Sequence, residues 1–451
     1  MPPPPERAPI LAADPVRQVR ELWKGLAPWR WPIPPRAFPP TTALVGGAVR
    51  DGLLGRLGER PDLDLVVPAD AVRLARELAA GGRGSCVVLD RERSIARVVM
   101  RGWTIDLARL CGESLIADLS RRDFSINAIA LPLQGALRGE LDGERLLDPH
   151  GGLDDLAQRR LVAIREANLL EDPLRMLRGL RLASELDFRI PSPTWDWIVT
   201  HHGRIATVAG ERVEAELQRL AKTPLGHRGL RQVLDLDLLR PWGVIGTGGA
   251  IHDAATAQLD RLTSPWAAHW GLTPEEEAWA LPLARLALVL DGAAVGRLHG
   301  SRRLAQRCQE LGRWRSRLIG QASGPPVSLD HLAEPERLAL HRGLEHDLPA
   351  LLLYLERERA PDALRRWRDQ EDPLFHPRPP LDGAMLQRRL GLTPGPLVGE
   401  LLAHLMRERA FRRLPCAGGG AEAAEAAVVE AVEAAVVEAR HWLRGQAMGH
   451  D

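Results

Sequence analysis

The sequence predicts an α/β domain followed by an all-helical remainder. Short runs of β-type residues recur between Leu44 and Leu133 and are interleaved with helical stretches. After Leu153 such runs nearly vanish, and apolar residues recur at helical spacing as far as the C-terminus. The 451 residues allow roughly two to four domains, because single cores usually stop growing at about 250 to 300 residues.

Composition excludes several classes of protein. No run of roughly 18 apolar residues is present to span a bilayer, and Pro2 to Pro5 stand where a secretory segment needs an apolar core. The four cysteines lie far apart and form no Cys-x-x-Cys pair, so neither a zinc site nor a disulfide framework is expected. We expect a cytoplasmic protein that has no membrane contact and no stable protein partner.

Residues 1–40 are rich in proline and are expected to form an accessory N-terminal segment. One short amphipathic helix is predicted there, around Val16 to Leu26. The α/β domain begins after this segment. Its predicted strands are Ala43–Val45, Leu63–Val67, Cys86–Leu89, Ala96–Met100 and Thr104–Leu107.

The first predicted strand runs into Gly46 and Gly47, and a helix carrying Arg50 and Asp51 follows. A phosphate group is favoured at such a helix N-terminus, because free N–H groups and the helix dipole point there and glycine lets the backbone approach. A plain strand-to-helix turn remains the favoured alternative for the glycine pair taken alone.

Three aspartates lie on predicted strands. Asp62 and Asp64 are two residues apart, so both project from one face while the neighbouring leucines and valines pack inward. Asp106 lies on another predicted strand that can run alongside. Mg²⁺ prefers hard oxygen ligands and usually takes one or two carboxylates plus substrate phosphates. A solvated strand edge is the alternative for any one of them, but the three together favour a phosphoryl-transfer site with metal ions.

Charged and amide residues in the segment Asp118–Ala128 directly precede what the pattern predicts to be an apolar helix. Arg122 is suited to neutralise a triphosphate, and Asn127 can hydrogen-bond a ribose hydroxyl. Helix capping with a local ion pair between an arginine and an aspartate is the alternative, and it is favoured for this segment by itself.

In order and spacing, these segments resemble the tRNA nucleotidyltransferase and bacterial poly(A) polymerase family of the DNA polymerase beta superfamily. The resemblance continues through Asp148–Leu156, Glu171–Arg178 and Gly210–Leu217, and it is strongest over residues 43–240. It implies an α/β nucleotidyltransferase head domain followed by all-α neck, body and tail. The expected limits are 41–150 for the head, 151–240 for a neck that reads the base, and 241–451 for a body and tail that hold tRNA.

The resemblance also implies roles for the residues named above. Asp62, Asp64 and Asp106 are expected to bind two Mg²⁺ ions. Gly46, Gly47, Arg50 and Asp51 are expected to help hold the triphosphate. Contacts to the incoming nucleotide are expected from Arg122, Asp123 and Asn127. Ser125 departs from the family pattern, in which threonine is usual, but it retains the hydroxyl.

Asp172 and Arg175 are placed one helical turn apart, with Arg178 on the same face. Cytosine and adenine both offer an amino donor beside a ring-nitrogen acceptor, which an aspartate and an arginine can match, whereas uracil and guanine present the reverse order. The resemblance implies that this pair reads CTP and ATP with support from Glu171. A surface ion pair is the alternative for the three residues alone.

The expected activity is template-independent addition of CMP and AMP, from CTP and ATP, to the 3′ end of tRNA. Only the fourteen residues Leu107 to Ser120 separate Asp106 from Arg121, whereas family enzymes that complete the CCA end often have a longer flexible loop. Complete CCA addition is expected, with CC-only or A-only addition as the alternative. A poly(A) polymerase and an inactive RNA-binding scaffold are two further hypotheses for the function.

A dense basic stretch in the body is a candidate for contacts with tRNA phosphates, and a solvated helix face is the equal alternative. Its members are Arg297, Arg302, Arg303, Arg307, Arg313, Arg315 and Arg317.

Overall fold

The computed structural model describes residues 14–133, 145–244, 250–319, 327–360, 362–414 and 421–448. These residues form two compact units. The first contains the described residues up to Leu225 together with Asp235–Pro241, and the second contains Gly226–Leu234 and the described residues from Trp242 onward.

The first unit is built on a six-stranded mixed sheet with the order β3-β4-β5-β2-β1-β6. Strands β2 and β5 are parallel, and the other neighbours are antiparallel. All five predicted strands are confirmed, with bounds that differ by one or two residues at most. The strands are β1 Ala43–Val45, β2 Leu63–Val67, β3 Ser85–Asp90, β4 Ile95–Met100, β5 Trp103–Arg109 and β6 Ala130–Pro132.

Strand β6 was not predicted, and the apolar helix expected after Asn127 is wrong. Ser125–Asn127 form a single 3₁₀ turn, and the apolar residues that follow enter the sheet beside β1. A short apolar run fits a buried strand as well as a buried helix, so periodicity cannot decide between them. The sheet decides here, because β1 has an edge that β6 completes.

Helices cover the sheet and extend the first unit. They are α1 Pro15–Leu26, α2 Gly47–Leu53, α3 Ala71–Gly82, α4 Leu115–Leu119, α5 Gly152–Ala157, α6 Glu166–Glu171, α7 Leu174–Leu186, α8 Thr194–His201 and α9 Gly210–Lys222. The helix predicted near Val16 is confirmed as α1. Its Val19, Leu22 and Leu26 are buried in the same core as the strand residues Leu44 and Leu65, so the described part of the N-terminal segment contributes to the hydrophobic core of this unit.

Alternation in β2 explains how the sheet presents its polar groups. Leu63 and Leu65 are buried on the core side, whereas Asp62 and Asp64 occupy the intervening positions, of which Asp62 is exposed. Successive side chains of a strand point to opposite faces. Burial of the two leucines therefore fixes the register that turns both aspartates to the other face.

The second unit is helical, and its described residues contain no strand, as predicted. Its helices are α10 Gly226–Asp235, α11 Ala250–Arg261, α12 Ser264–Trp270, α13 Pro274–Val289, α14 Gly292–Arg297, α15 Arg302–Ile319, α16 Glu334–Gly343, α17 Leu348–Leu352, α18 Ala363–Arg368, α19 Gly383–Leu390, α20 Pro396–Ala410 and α21 Ala421–Met448. Across the part of the chain that is described, no helix is both long and apolar enough to cross a membrane.

Candidate active site

The candidate site begins with two carboxylates on neighbouring strands. Asp64 of β2 and Asp106 of β5 are direct partners in the parallel register, so their side chains share one face of the sheet. Asp62 lies one residue before β2 and is exposed. The structure thus places Asp64 and Asp106 side by side, with Asp62 at the margin.

The glycine turn lies against the first of these carboxylates. Gly46 has a φ of +74°, and a Cβ at this position would lie 2.8 Å from Oδ2 of Asp64. Any other residue would therefore meet both backbone strain and a clash with the carboxylate. Glycine at this position keeps the space in front of Asp64 free, and Gly47 begins α2 directly behind it.

Arg122 faces the same space. One of its terminal nitrogens, Nη1, lies 3.7 Å from the point where a Gly46 Cβ would stand, and Nη2 donates to Asp118 at 3.3 Å. Its Nε is buried and has no hydrogen-bond partner among the described residues. A buried donor without an acceptor is costly, so this guanidinium is prepared to receive one.

Sequence reasoning missed Arg97, the cation closest to the carboxylates. It lies on β4 directly opposite Asp106, and its Nε and Nη2 donate to the two carboxylate oxygens at 2.7 and 2.8 Å. Only the antiparallel pairing of β4 with β5 brings these residues together. The one signal available was that Arg97 is the single polar residue of β4, and this did not identify its partner.

The electrostatics of the site favour a bound cation. Burial, and then the neighbouring charges of Asp106 and Asp62, raise the pKa of Asp64 to about 6, although Arg122 and Arg97 act in the opposite direction. The two arginines therefore do not fully offset the negative charge at Asp64. A divalent cation in front of Asp64 would relieve both the repulsion and the cost of burial.

The residues fit a magnesium site that is completed by substrate. Among the described residues, no three His, Cys, Asp or Glu side chains converge closely enough to hold a metal ion by themselves. Mg²⁺ needs only one or two carboxylates when phosphates supply the remaining oxygens. Asp64 and Asp106 meet that requirement, provided that Arg97 gives up at least one of its hydrogen bonds to Asp106.

The other predicted nucleotide contacts form one connected chain of hydrogen bonds. Arg50 pairs with Asp51 at 2.9 Å and donates to Oδ1 of Asn127 at 2.8 Å. Asn127 in turn donates to Asp123 at 3.1 Å, and Arg178 of α7 reaches the other oxygen of Asp123 at 3.2 Å. The structure therefore brings these five residues together and links the glycine turn to α7.

Asp123 and Arg50 have different roles within these linked hydrogen bonds. Burial alone would raise the pKa of Asp123, but the charge of Arg178 and hydrogen bonds from Asn127 and Phe124 hold it below its ordinary value. Asp123 is thus a fixed anion inside the protein. Arg50 is buried with its guanidinium committed to Asp51 and Asn127, so it orients Asn127.

Asp172 and Arg175 lie close together in the chain, but not both in α7. Asp172 ends α6 in an extended conformation, and α7 begins at Leu174. The backbone N–H of Arg175 donates to the Asp172 carbonyl at 2.9 Å, which holds the two residues together. The predicted spacing of one turn is kept, while the helix is interrupted at Pro173, which restricts the residue before it.

The side chains of this pair have other partners. Asp172 accepts a hydrogen bond from Arg212 of α9 at 2.9 Å, and Arg175 donates to the carbonyl of Asn168 at 3.0 Å. Glu171 makes no hydrogen bond to either residue among the described contacts and lies 3.8 Å from Arg121, but its charge acts on Arg175 against the burial that lowers the pKa of that arginine. Sequence reasoning missed Arg212, although the segment that contains it was noted.

Asn168 connects the base-reading residues to the arginine that faces the carboxylates. It is fully buried, and its amide donates to the backbone carbonyls of Ser120 and Arg122 at 2.9 and 2.7 Å. The backbone carbonyl of Asn168 accepts a hydrogen bond from Arg175. This residue was also missed, because a single asparagine among apolar residues carries no sequence signal for such a role.

The basic stretch of the second unit is largely engaged in internal contacts. Arg307 of α15 binds Asp347 through Nη2 at 2.6 Å, and Arg317 binds Glu336 at 2.9 Å. Arg297 donates to the Trp242 carbonyl, and the guanidinium groups of Arg313 and Arg315 lie over the rings of Trp314 and Tyr354. Of the candidate contacts with tRNA phosphates, the exposed Arg302 and Arg303 are the two that make no such contact with a described residue.

Known proteins match this chain over most of its length. Residues 42–162 match the family model described as the poly(A) polymerase head domain. A CC-adding tRNA nucleotidyltransferase of Synechocystis sp. is 33% identical over 381 residues, which cover 82% of this chain and 89% of that protein. An A-adding tRNA nucleotidyltransferase of Deinococcus radiodurans is 34% identical over 433 residues, which cover 85% and 94%.

Solved structures share the fold. The Thermotoga maritima CCA-adding enzyme, in a complex with tRNA, superposes with a TM-score of 0.58 at 21% identity, covering 86% of this chain and 90% of that one. The predicted combination of a nucleotidyltransferase head with a helical remainder is thereby confirmed.

Proposed function

Since this chain belongs to the tRNA nucleotidyltransferase family, we propose that it adds CMP or AMP, from CTP or ATP, to the 3′ end of tRNA without a nucleic-acid template. The observation that carries the proposal is the register that pairs Asp64 with Asp106 in front of the Gly46 turn. This is an arrangement of two carboxylates beside open space, which nucleotidyl transfer requires.

Asp64 and Asp106 would hold the metal ions, and Asp62 lies at the margin where it can join them. Two Mg²⁺ ions bound there would supply the Lewis acidity that activates the RNA 3′ hydroxyl and stabilises the departing pyrophosphate. Gly46 leaves room for the triphosphate beside Asp64, and Nη1 of Arg122 faces the same space. Asn127, oriented by Arg50 and Asp123, is placed to hydrogen-bond the nucleotide.

Base selection would lie with Asp172 and Arg175. Their carboxylate and guanidinium match the donor and acceptor order that cytosine and adenine share. Arg212 must give up or share Asp172 before that carboxylate can read a base, because it donates to Oδ2 of Asp172. Arg212 is therefore a proposed positioning residue for the base-reading pair.

A specific observation favours a partial enzyme as a second candidate. Strand β5 continues to Arg109 and α4 begins at Leu115, so only five residues connect them. The first two are held by hydrogen bonds: the Leu110 N–H donates to the Val67 carbonyl at 2.8 Å, and the Cys111 N–H donates to Asp118 at 3.0 Å. In the family resemblance, complete CCA addition goes with a longer flexible loop at this position.

Three tRNA substrates separate a complete enzyme from a partial one. One ends before CCA, one after the first C and one after CC, and each is offered CTP alone, ATP alone or both with Mg²⁺. Extension of all three to CCA establishes a complete enzyme. A stop after CC, or a response only to the CC-ended tRNA, establishes a partial one.

The same assay also tests for a poly(A) polymerase and for an inactive scaffold. Processive ATP addition to an RNA that is not tRNA would identify a poly(A) polymerase. Binding of tRNA with no incorporation of either nucleotide would identify an inactive scaffold and would refute the proposed function.

A further inference from the structure

One face of the sheet beyond β5 is open to solvent. Helix α3 packs against β3, β4 and β5 on the other face, where Ala96, Val98 and Met100 of β4 are buried. The intervening positions on β3 and β4 carry large apolar side chains that remain partly exposed. These are Val87 and Leu89, each 49% exposed, and Val99, 39% exposed.

This open face is continuous with the candidate active site. Val87 pairs with Arg97, Arg97 with Asp106, and Asp106 with Asp64 in the sheet register. Residues directly across neighbouring strands project from the same face. The exposed apolar residues therefore extend the row of catalytic carboxylates towards the β3 edge.

The two sides of the carboxylates have different features. Gly46 and Arg122, the proposed triphosphate contacts, lie beside Asp64. In-line transfer requires the attacking hydroxyl to approach from the side opposite the leaving pyrophosphate. The hydroxyl must then approach over Asp106, and the RNA that carries it must cross β4 and β3.

The chemistry of this side suits RNA. Arg97 holds Asp106 with Nε and Nη2, and its Nη1 makes no hydrogen bond to any described residue, so that nitrogen is available to a phosphate. Arg101 lies in the turn that follows β4, and Arg60 lies against Gly102 of the same turn. Neither Arg60 nor Arg101 has an ion-pair partner within the described residues. Apolar side chains bordered by such cations can pack against riboses and bases while phosphates meet the charge.

We propose that the open face formed by Val87, Leu89 and Val99, with Arg97 at its inner edge, binds the 3′-terminal nucleotides of the RNA substrate. This rests on the proposed nucleotidyl transfer and names the place of its second substrate. A second copy of the chain, pairing along β3, would be the other occupant. It is disfavoured because a contact between copies along β3 does not account for the continuity of this face with Arg97 and Asp106.

Charge-bearing variants of the open face test the proposal in the full chain. Val87→Glu and Val99→Glu each place a carboxylate where RNA phosphates would lie. We expect kcat/KM for tRNA lacking its 3′ end to fall about tenfold, while the Kd of CTP, measured by calorimetry, stays unchanged. Val99→Lys has the same site and a similar size but the opposite charge, and it should lower kcat/KM less than Val99→Glu does.

Val199→Glu is the matched control, because Val199 of α8 is 43% exposed and lies outside the sheet. The proposal is overturned if the open-face Glu variants change kcat/KM no more than this control, or if Glu and Lys at position 99 reduce it equally. It is also overturned if Val87→Glu splits a dimer in light scattering and leaves kcat/KM for tRNA intact.

A direct measurement does not depend on turnover. tRNA with 4-thiouridine at its 3′ terminus, irradiated on the wild-type protein, should crosslink to peptides of β3 or β4. Crosslinks confined to other peptides would refute the proposal. If the wild-type chain adds no nucleotide and yet gives the expected crosslink, the proposed function fails while this RNA site stands.

Discussion

The sheet of the first unit and helix α15 of the second both concentrate arginines, but they use them differently. In the sheet region, Arg122 keeps a buried nitrogen without an acceptor among the described residues, and Arg97 keeps a terminal nitrogen available, each beside a carboxylate of the candidate site. In α15, Arg307 and Arg317 donate to Asp347 and Glu336. Arg315 of the same helix keeps two buried nitrogens without an acceptor, but it lies over the Tyr354 ring and makes no ion pair with a described residue. Unused hydrogen-bonding capacity next to opposite charge thus separates a site from a structural ion pair better than the density of arginines does.

The largest effect is expected from Asp64, at the centre of the sheet region. Asp64→Ala should reduce nucleotide addition at least about 10³-fold, because the charge that stabilises the transition state is lost. Stability should not fall, since burial and neighbouring carboxylates already oppose the charge of Asp64. Incorporation of labelled CTP and thermal melting measure the two effects. Asp90→Ala, at the end of β3, is the control, and substantial activity in a folded Asp64→Ala protein would contradict the assignment.

A smaller effect is expected from the base-reading pair. Replacing Asp172 and Arg175 together by alanine should raise UTP incorporation relative to CTP about 10- to 100-fold, because the penalty for an unpaired donor or acceptor is removed. Arg212→Leu leaves both groups in place and frees Asp172, so it should preserve selection and change only the KM for CTP or ATP. A double variant as selective as wild type would show that the base is chosen elsewhere.

The comparison also explains what could be predicted from sequence. All five β-type runs became strands, and Asp62 with Asp64 followed from alternation alone, because burial of Leu63 and Leu65 leaves no other register. Arg97 could not be assigned, since its role arises from the pairing of β4 with β5 and local pattern does not specify that pairing. Motifs specify residues that are near in sequence, and strand pairing adds the rest.

The same limit applies to the neck. Asp172 and Arg175 were recognisable because they are three residues apart, whereas Arg212 reaches Asp172 from a helix forty residues later. The dense arginines of α15 show the opposite error. Composition suggested a phosphate-binding face, but Arg307 and Arg317 form ion pairs with acidic residues that are distant in sequence.

Arg303 and Arg307, one turn apart on α15, allow a structural cation to be compared with a candidate binding cation. Arg307→Ala leaves the buried Asp347 without its main partner and should destabilise the protein by about 2 kcal/mol, with no specific change in tRNA binding. Arg303 is exposed, so Arg303→Ala should change stability by less than about 0.5 kcal/mol.

If Arg303 contacts a tRNA phosphate, its removal should lower the slope of log Kd against log salt by about one. Denaturant unfolding and fluorescence anisotropy at several salt concentrations measure both quantities. The distinction between the two arginines breaks down if Arg307→Ala changes the salt slope and Arg303→Ala does not.

A further expected effect is a pH dependence of the second unit, in which the buried His341 packs as a structural part. His341 is buried and lies against the Phe375 ring at a centroid distance of 4.0 Å; burial, and then the charge of Arg366, lower its pKa to about 3. The unfolded chain takes up a proton near pH 6.5 that the folded protein refuses, so stability is complete above that pH and is lost as pH falls towards the folded pKa. Between pH 6.5 and 5 the melting temperature should therefore decline. His341→Phe keeps the ring packing, and its free energy of unfolding should depend less steeply on pH, by the equivalent of about one proton. His346→Gln, at an exposed position on the following turn, is the control. Equal slopes in calorimetric melts of wild type and His341→Phe would show that this histidine is not protonated on unfolding.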